Sequence, residues 1–131
     1  MAPNHASSVA SSVEDGFTAT VRMLQSEPRP TALFVTGTRL TIGTVAAIFS
    51  LWLKCPDQVA VVGFDDYEWA GAFRPRLTTV AQPAYWMGQR AAEVLIDRIT
   101  VAREGPPEEW VLRGHLIVRE SCGLYAGRGN V

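Results

Sequence analysis

Val59-Ala-Val-Val-Gly-Phe-Asp-Asp66 is the stretch on which the reading of this chain turns. Three valines, an alanine and a phenylalanine stand in a run broken only by Gly63. A short continuous apolar run suits a strand inside a parallel sheet, where both faces are covered and no polar residue need alternate. Two carboxylates, Asp65 and Asp66, follow at its C-terminal end.

Working outward, Ala32-Leu-Phe-Val35 is a second such run and is expected to be covered on both faces; Thr78 to Ala81 is a third. The segments between them have helical periodicity. Val13, Phe17, Val21 and Leu24 recur on one face after Ser11 or Ser12 as the N-cap, Glu14 and Asp15 suit the positive first turn, and Pro28 and Pro30 stop the helix. A helix is expected from about Thr38 to Lys54. Leu40, Gly43, Ala47 and Leu51 line one of its faces, and Ile42, Val45, Phe49 and Leu53 another. A helix apolar on most sides needs cover beyond its own sheet, and a partner chain is one candidate. Tyr67 to Phe73 reads as a loop or short helix ended by Pro75. Pro83 opens a long helix to about Ala102, with an apolar stripe of Ala84, Met87, Ala91, Val94, Leu95 and Ile99. Trp110 to Leu112 and Leu116 to Val118 read as a hairpin or two short strands, with Gly114 bending the chain between them.

Alternating helices and strands predict an α/β fold with a mainly parallel sheet flanked by helices. Right-handed crossovers bring the C-terminal ends of the strands to one edge, where open α/β sheets bind ligands. Gly37, Asp65 and Gln82 each follow a predicted strand, so all three are expected at one crevice.

Composition sets bounds on function. The chain has 131 residues, 47% of them apolar and 19% charged, with a formal net charge of −1. One domain of ordinary globular composition fits these values, and a bare nucleic-acid binder with a basic stripe does not. The longest apolar stretch, Ile42 to Leu53, contains Thr44 and Ser50, whereas a membrane span needs roughly 20 apolar residues. Met1 to Ser12 has no basic start followed by an apolar core, so no secretory signal is read there. Cys55 and Cys122 form no CxxC pair and are expected as reduced thiols of a cytosolic protein.

The carboxylates are the first candidates for chemistry. Neighbouring residues on an extended strand point to opposite faces, so Asp65 and Asp66 are expected to do different jobs. Asp65 is taken to face the crevice and Asp66 to form the following turn. His5 and His115 lie far from this pair in sequence, and no metal set is read. Cys122, Glu120 and His115 make a poor nucleophilic triad, with no turn to present the thiol; no catalytic residue and no cofactor is assigned. Trp69, shortly after Asp65, is either a platform for a sugar ring or a packing residue. Trp52 and Trp110 are expected in the core or an interface, and Trp86 fits either role.

Pro56-Asp-Gln-Val-Ala-Val-Val-Gly-Phe-Asp-Asp66, then Arg74-Pro-Arg-Leu-Thr-Thr-Val-Ala-Gln-Pro83, Met87-Gly-Gln-Arg-Ala-Ala92 and Val118-Arg-Glu-Ser-Cys122 follow in an order and spacing that resemble the lactose/galactose-repressor family of transcriptional regulators. Pro30 to Gly43 is similar to the segment preceding them. The resemblance spans Ser11 to Cys122 and implies part of a two-lobed, periplasmic-binding-protein-like domain that holds a small effector, often a sugar or nucleobase-type metabolite, between its lobes.

It also implies a division of the chain. Residues 1–10 are a tail and 11–123 the C-terminal part of the effector domain. Within the latter, 11–82 belong to the C-terminal lobe, 83–105 to a helix of the other lobe and 106–123 to closing strands; 124–131 are a second tail. By the same resemblance Asp65 and Gln82 are ligand-binding; Trp69, read from its aromatic ring, and Gly37, read from its place after a strand, complete the expected ligand-binding set. Leu40, Thr44, Ala72 and Phe73 are at a homodimer interface. DNA would be reached only through a head domain absent from this chain. Where the family carries an Asn-Asp pair, this chain has Gly37-Thr38, and Gly37 offers no side chain to a ligand. The helix after Pro83 is expected to show an apolar stripe without its proper cover. The main alternative is a stand-alone sugar-binding receptor of the same fold; an α/β enzyme using Asp65 or Cys122 fits least well.

Overall fold

A computed structural model of the chain describes residues 10–100 and 105–124. The expected tails at 1–10 and 124–131 lie outside these residues except for Ala10 and Leu124, as does Ala102 at the expected end of the long helix. In order the elements are α1 (Val13–Leu24), β1 (Ala32–Thr36), α2 (Thr38–Ser50), β2 (Ala60–Phe64), α3 (Glu68–Ala72), β3 (Thr78–Ala81), α4 (Ala84–Thr100) and β4 (His115–Ile117). The strands form one sheet in the order β1-β2-β3-β4. β1 pairs with β2 and β2 with β3, both in parallel; Leu33 stands beside Val61 and Val35 beside Gly63. The α/β architecture expected from the valine runs is therefore present.

The described residues fall into two units: 10–81 with 116–124, and 82–100 with 105–115. In the first, α1 starts where Ser12 accepts a hydrogen bond from the Asp15 amide at 3.0 Å. One face of the sheet is the core. Val61 and Val59 are buried with Leu24 of α1 and Ile48 of α2, and Leu33 and Val35 pack against them. α1 and α2 approach backbone to backbone. A Cβ on Gly43 would stand 2.1 Å from the Val13 carbonyl oxygen, and one on Gly16 2.6 Å from that of Leu40. The hydroxyls of Thr20 and Thr44 bond across the same seam at 3.0 Å. The extra cover that α2 needs is thus α1 of the same chain.

Several expectations change. The other face of β1 is open: Phe34 is 60% exposed and meets Phe64 in an edge-to-face pair, at 6.4 Å between ring centres. An apolar run marks a strand but does not say which face its own chain covers. α2 ends at Ser50 rather than near Lys54, because Trp52 turns into the left-handed region at φ 57. Trp52 is 91% exposed, so it is not a core residue. Trp110 to Leu112 form no strand, and His115–Ile117 join the sheet next to β3 instead of closing a hairpin.

In the second unit, α4 has no buried residue, as its unmatched stripe suggested. The Arg90 guanidinium lies 3.8 Å from the centre of the Trp110 ring, and Arg98 donates to the Pro106 carbonyl at 2.8 Å. Between helix and segment runs an open, mostly apolar groove lined by Met87, Ala91, Val94, Leu95, Trp110 and Leu112. Among the described residues no helix is long and apolar enough to cross a membrane.

The α1–α2 seam predicts a sharp contrast between two glycines. Gly43→Ala must push two backbones apart and is expected to cost about 3 kcal/mol or more. Gly71→Ala on α3 meets nothing within 4 Å and should be neutral or gain roughly 0.5 kcal/mol. Chemical denaturation of the two variants measures both.

Candidate functional site

Thr36 and Phe64 are paired at the ends of β1 and β2, so the next residues, Gly37 and Asp65, stand together at the C-terminal edge of the sheet. Gly37 has φ 123, a conformation that side chains rarely adopt. Its carbonyl accepts both the amide and the hydroxyl of Thr41, each at 2.9 Å, and so starts α2 at that edge. Only the backbone of Gly37 is available to a ligand. Asp65 lies at φ 77, in the left-handed region, and its amide donates to the Val80 carbonyl at 2.9 Å. Aspartate tolerates this region better than most residues, and the conformation breaks the strand alternation at the carboxylate. Gln82 follows Ala81, the last residue of β3, and opens the second unit.

Asp66 does not simply form a turn. Its two carboxylate oxygens accept hydrogen bonds from Arg119 at 2.6 and 3.0 Å, and one also accepts from the Thr79 hydroxyl at 2.6 Å. The same guanidinium donates to the Leu77 carbonyl at 2.7 Å. The Asp66 bond pushes the Arg119 pKa further up from its already high ordinary value. Beside it, Ser121 is fully buried. Its hydroxyl accepts from the Thr78 amide at 2.8 Å and donates to the Val61 carbonyl at 2.7 Å. Glu120 takes the Arg76 amide at 2.7 Å and its Nε at 2.9 Å, and these contacts hold its carboxyl below the ordinary range. Residues 119–121 therefore form a strap that ties β2, β3 and the Asp65–Leu77 connection together. Arg119 and Ser121 were visible in sequence only as part of the Val118-Arg-Glu-Ser-Cys122 ending, without a role.

Trp69 sits on α3. Tyr67 stacks on it, with ring centres 6.2 Å apart and 8° between planes, and Phe73 meets it edge-on at 5.5 Å. One side of Trp69 packs against Val45, Ala70 and Leu77. It is half-buried, so it is at once a packing residue and part of the surface following Asp65. Of the residues expected at a dimer interface, Ala72 is exposed, whereas Leu40 and Phe73 are half-buried. Thr44 is a correction: it is 2% exposed and bonded to Thr20 beneath α1, so it has no surface for a second chain. Among the described residues no three His, Cys, Asp or Glu side chains gather as a metal set.

The sequence pattern of the periplasmic binding protein-like domain matches residues 1–122. The HTH-type transcriptional repressor PurR of Edwardsiella ictaluri is 40% identical over 91 residues, which is 70% of this chain and 27% of the repressor. A structure of the transcriptional regulator CelR in complex with cellobiose is 34% identical with a TM-score of 0.76, over 84% of this chain and 33% of the regulator. A LacI family transcriptional regulator from Enterococcus faecium with bound ribose is 29% identical with a TM-score of 0.72, over 84% and 40%. The chain thus spans about a quarter of the repressor's length and well under half of each regulator.

The strap is expected to behave as one coupled unit. Asp66→Ala should cost about 2 kcal/mol, because a partly buried guanidinium loses its bidentate acceptor. Adding Arg119→Ala should cost little more, so a double-mutant cycle will show strong coupling. The Glu120 carboxyl is lowered on folding. Its contribution is therefore full above the ordinary carboxylate pKa and is lost as pH falls through the lowered value; Glu120→Gln should flatten that acid limb of the stability profile.

Proposed function

The chain belongs to the periplasmic-binding-protein-like domain family, in its lactose/galactose-repressor branch, and on that premise we propose that it is the effector-sensing part of a bacterial transcriptional regulator. The effector is a small polyhydroxylated molecule, sugar-like in class. Asp65 accepts hydrogen bonds from its hydroxyl groups, Trp69 offers an apolar ring face, and Gly37 contributes backbone only. The observation that carries this reading is Asp65: a carboxylate at positive φ, just beyond an inner strand, at the edge where open α/β sheets bind ligands. Sugars bound to the two regulators of similar fold support the ligand class.

The domain acts by binding and not by catalysis. Effector binding would favour one of two arrangements of the regulator and so alter DNA affinity through a separate head. Such a protein works in the cytoplasm as a homodimer. The surface formed by α2 and α3, with Leu40, Ala72 and Phe73, is the part of this chain assigned to that contact.

A thermal-shift screen of the purified chain with mono- and disaccharides, ribose and cellobiose among them, tests the sensing role. One compound should raise the melting temperature in proportion to the logarithm of its concentration, because it binds only the folded state. Asp65→Asn, which keeps the backbone conformation accessible, should abolish the shift while leaving the ligand-free melt near that of the parent chain. A panel without any shift overturns the reading. For the interface, Ala72→Glu places a charge on an exposed position and should convert a sedimenting dimer to monomer without lowering the melt. A chain that is monomeric before the substitution removes the assignment.

A further inference from the structure

The chain's two cysteines, Cys55 and Cys122, stand far apart in sequence, yet the fold brings the segments that carry them together. The Cys55 thiol points at the carbonyl oxygen of Ser121, 3.7 Å away. Across a trans peptide that oxygen lies roughly 3 Å from the next Cα, so the Cys122 Cα is within about 7 Å of the Cys55 sulfur. The Cys122 thiol rests 3.5 Å from the Arg119 carbonyl, from which rotation about a single bond can swing it away. The residues after each cysteine are also near one another: a Cβ on Gly123 would stand 3.6 Å from the Pro56 Cβ.

Both backbones are anchored. Ser121 is fixed by the Val61 and Thr78 bonds, and the 54–58 turn is closed by the Gln58 amide on the Lys54 carbonyl and the Lys54 amide on the Gln58 side chain, both at 2.8 Å. Both cysteines are half-buried, within reach of a small reagent but not fully open to a second protein.

We propose that Cys55 and Cys122 are a reversible dithiol–disulfide pair, whose oxidised form staples the 119–121 strap to the turn between α2 and β2. The oxidant is a small disulfide of the glutathione type. The Cys122 thiolate attacks one of its sulfurs, the S–S bond breaks and one small thiol leaves. The Cys55 thiolate then attacks the mixed disulfide on Cys122 and the second small thiol leaves. Two electrons pass from the cysteine pair to the oxidant, and the two protons end on the released thiols. Cys122 attacks first, because burial pushes the Cys55 thiol up to about 11 and leaves little of it as thiolate. The bond would close a loop of more than half the chain, which constrains mainly the unfolded state.

The whole chain is incubated with oxidised glutathione, and its mass, peptide map and melt are compared before and after reduction. The expected result is a monomer lighter by two hydrogens, a peptide joining Cys55 to Cys122, and a melt raised by roughly 5 °C, all reversed by dithiothreitol. Cys55→Ser and Cys122→Ser should each abolish the oxidative shift. Glutathione adducts that never resolve into the joined peptide, or disulfides only between chains, overturn the proposal. Because the peptide map is read on the parent chain, a variant that folds poorly does not decide the question.

Discussion

The Arg119 guanidinium is the fixed point of the first unit. It reaches both oxygens of Asp66, the Leu77 carbonyl and the Thr79 hydroxyl, while its own amide donates to the Thr78 hydroxyl oxygen at 2.9 Å. A lysine could not do this, because only a planar fork supplies several donors in fixed directions. Partial burial of both partners makes the pair costly to break, and the added neutral acceptors offset their desolvation. The contact joins residues 53 positions apart, so the ends of β2 and β3 are secured only when the last described segment returns to them. Asp65 is held in its unusual conformation next to this clamp. The strap thus grips the residue that directly follows Asp65 in the chain.

Much of the fold was legible because valine-rich runs and helical periodicity are strong, local signals. Ser12 capping α1, the parallel order of the first three strands, and the placement of Gly37 and Asp65 at one edge all follow from such patterns. The α1–α2 seam was not legible. It rests on Gly16, Thr20, Gly43 and Thr44; Gly43 stands on a recognisable face of α2, but nothing in an apolar stripe says that its value lies in letting the backbone of α1 meet it. The double cover expected for β1 failed for a related reason: Phe34 looks the same in sequence whether or not anything lies over it. Trp110 to Leu112 carried strand-like residues but no neighbour to pair with, and Trp110 took the Arg90 guanidinium as its contact.

The candidate site was partly legible. Asp65 stood out by position, but its left-handed backbone had no signature beyond aspartate's tolerance of that region. Asp66 was read only as a turn former because its partner Arg119 lies near the other end of the chain, and pairing across such a distance leaves no periodic trace in one sequence. The same holds for the cysteines, whose spacing suggested nothing and whose neighbourhood is set by Ser121.

The open outer face of β1 has a thermodynamic signature. Heat capacity and denaturant sensitivity of unfolding both scale with the apolar surface that the folded state hides. An outer strand open on one face, together with a helix that has no buried residue, hides less than the 47% apolar content of the chain would allow. The chain's unfolding should therefore show a shallow m-value and a broad, low-enthalpy melt for its length, with a flatter stability curve across temperature than a chain of equal size whose outer strand is covered on both sides.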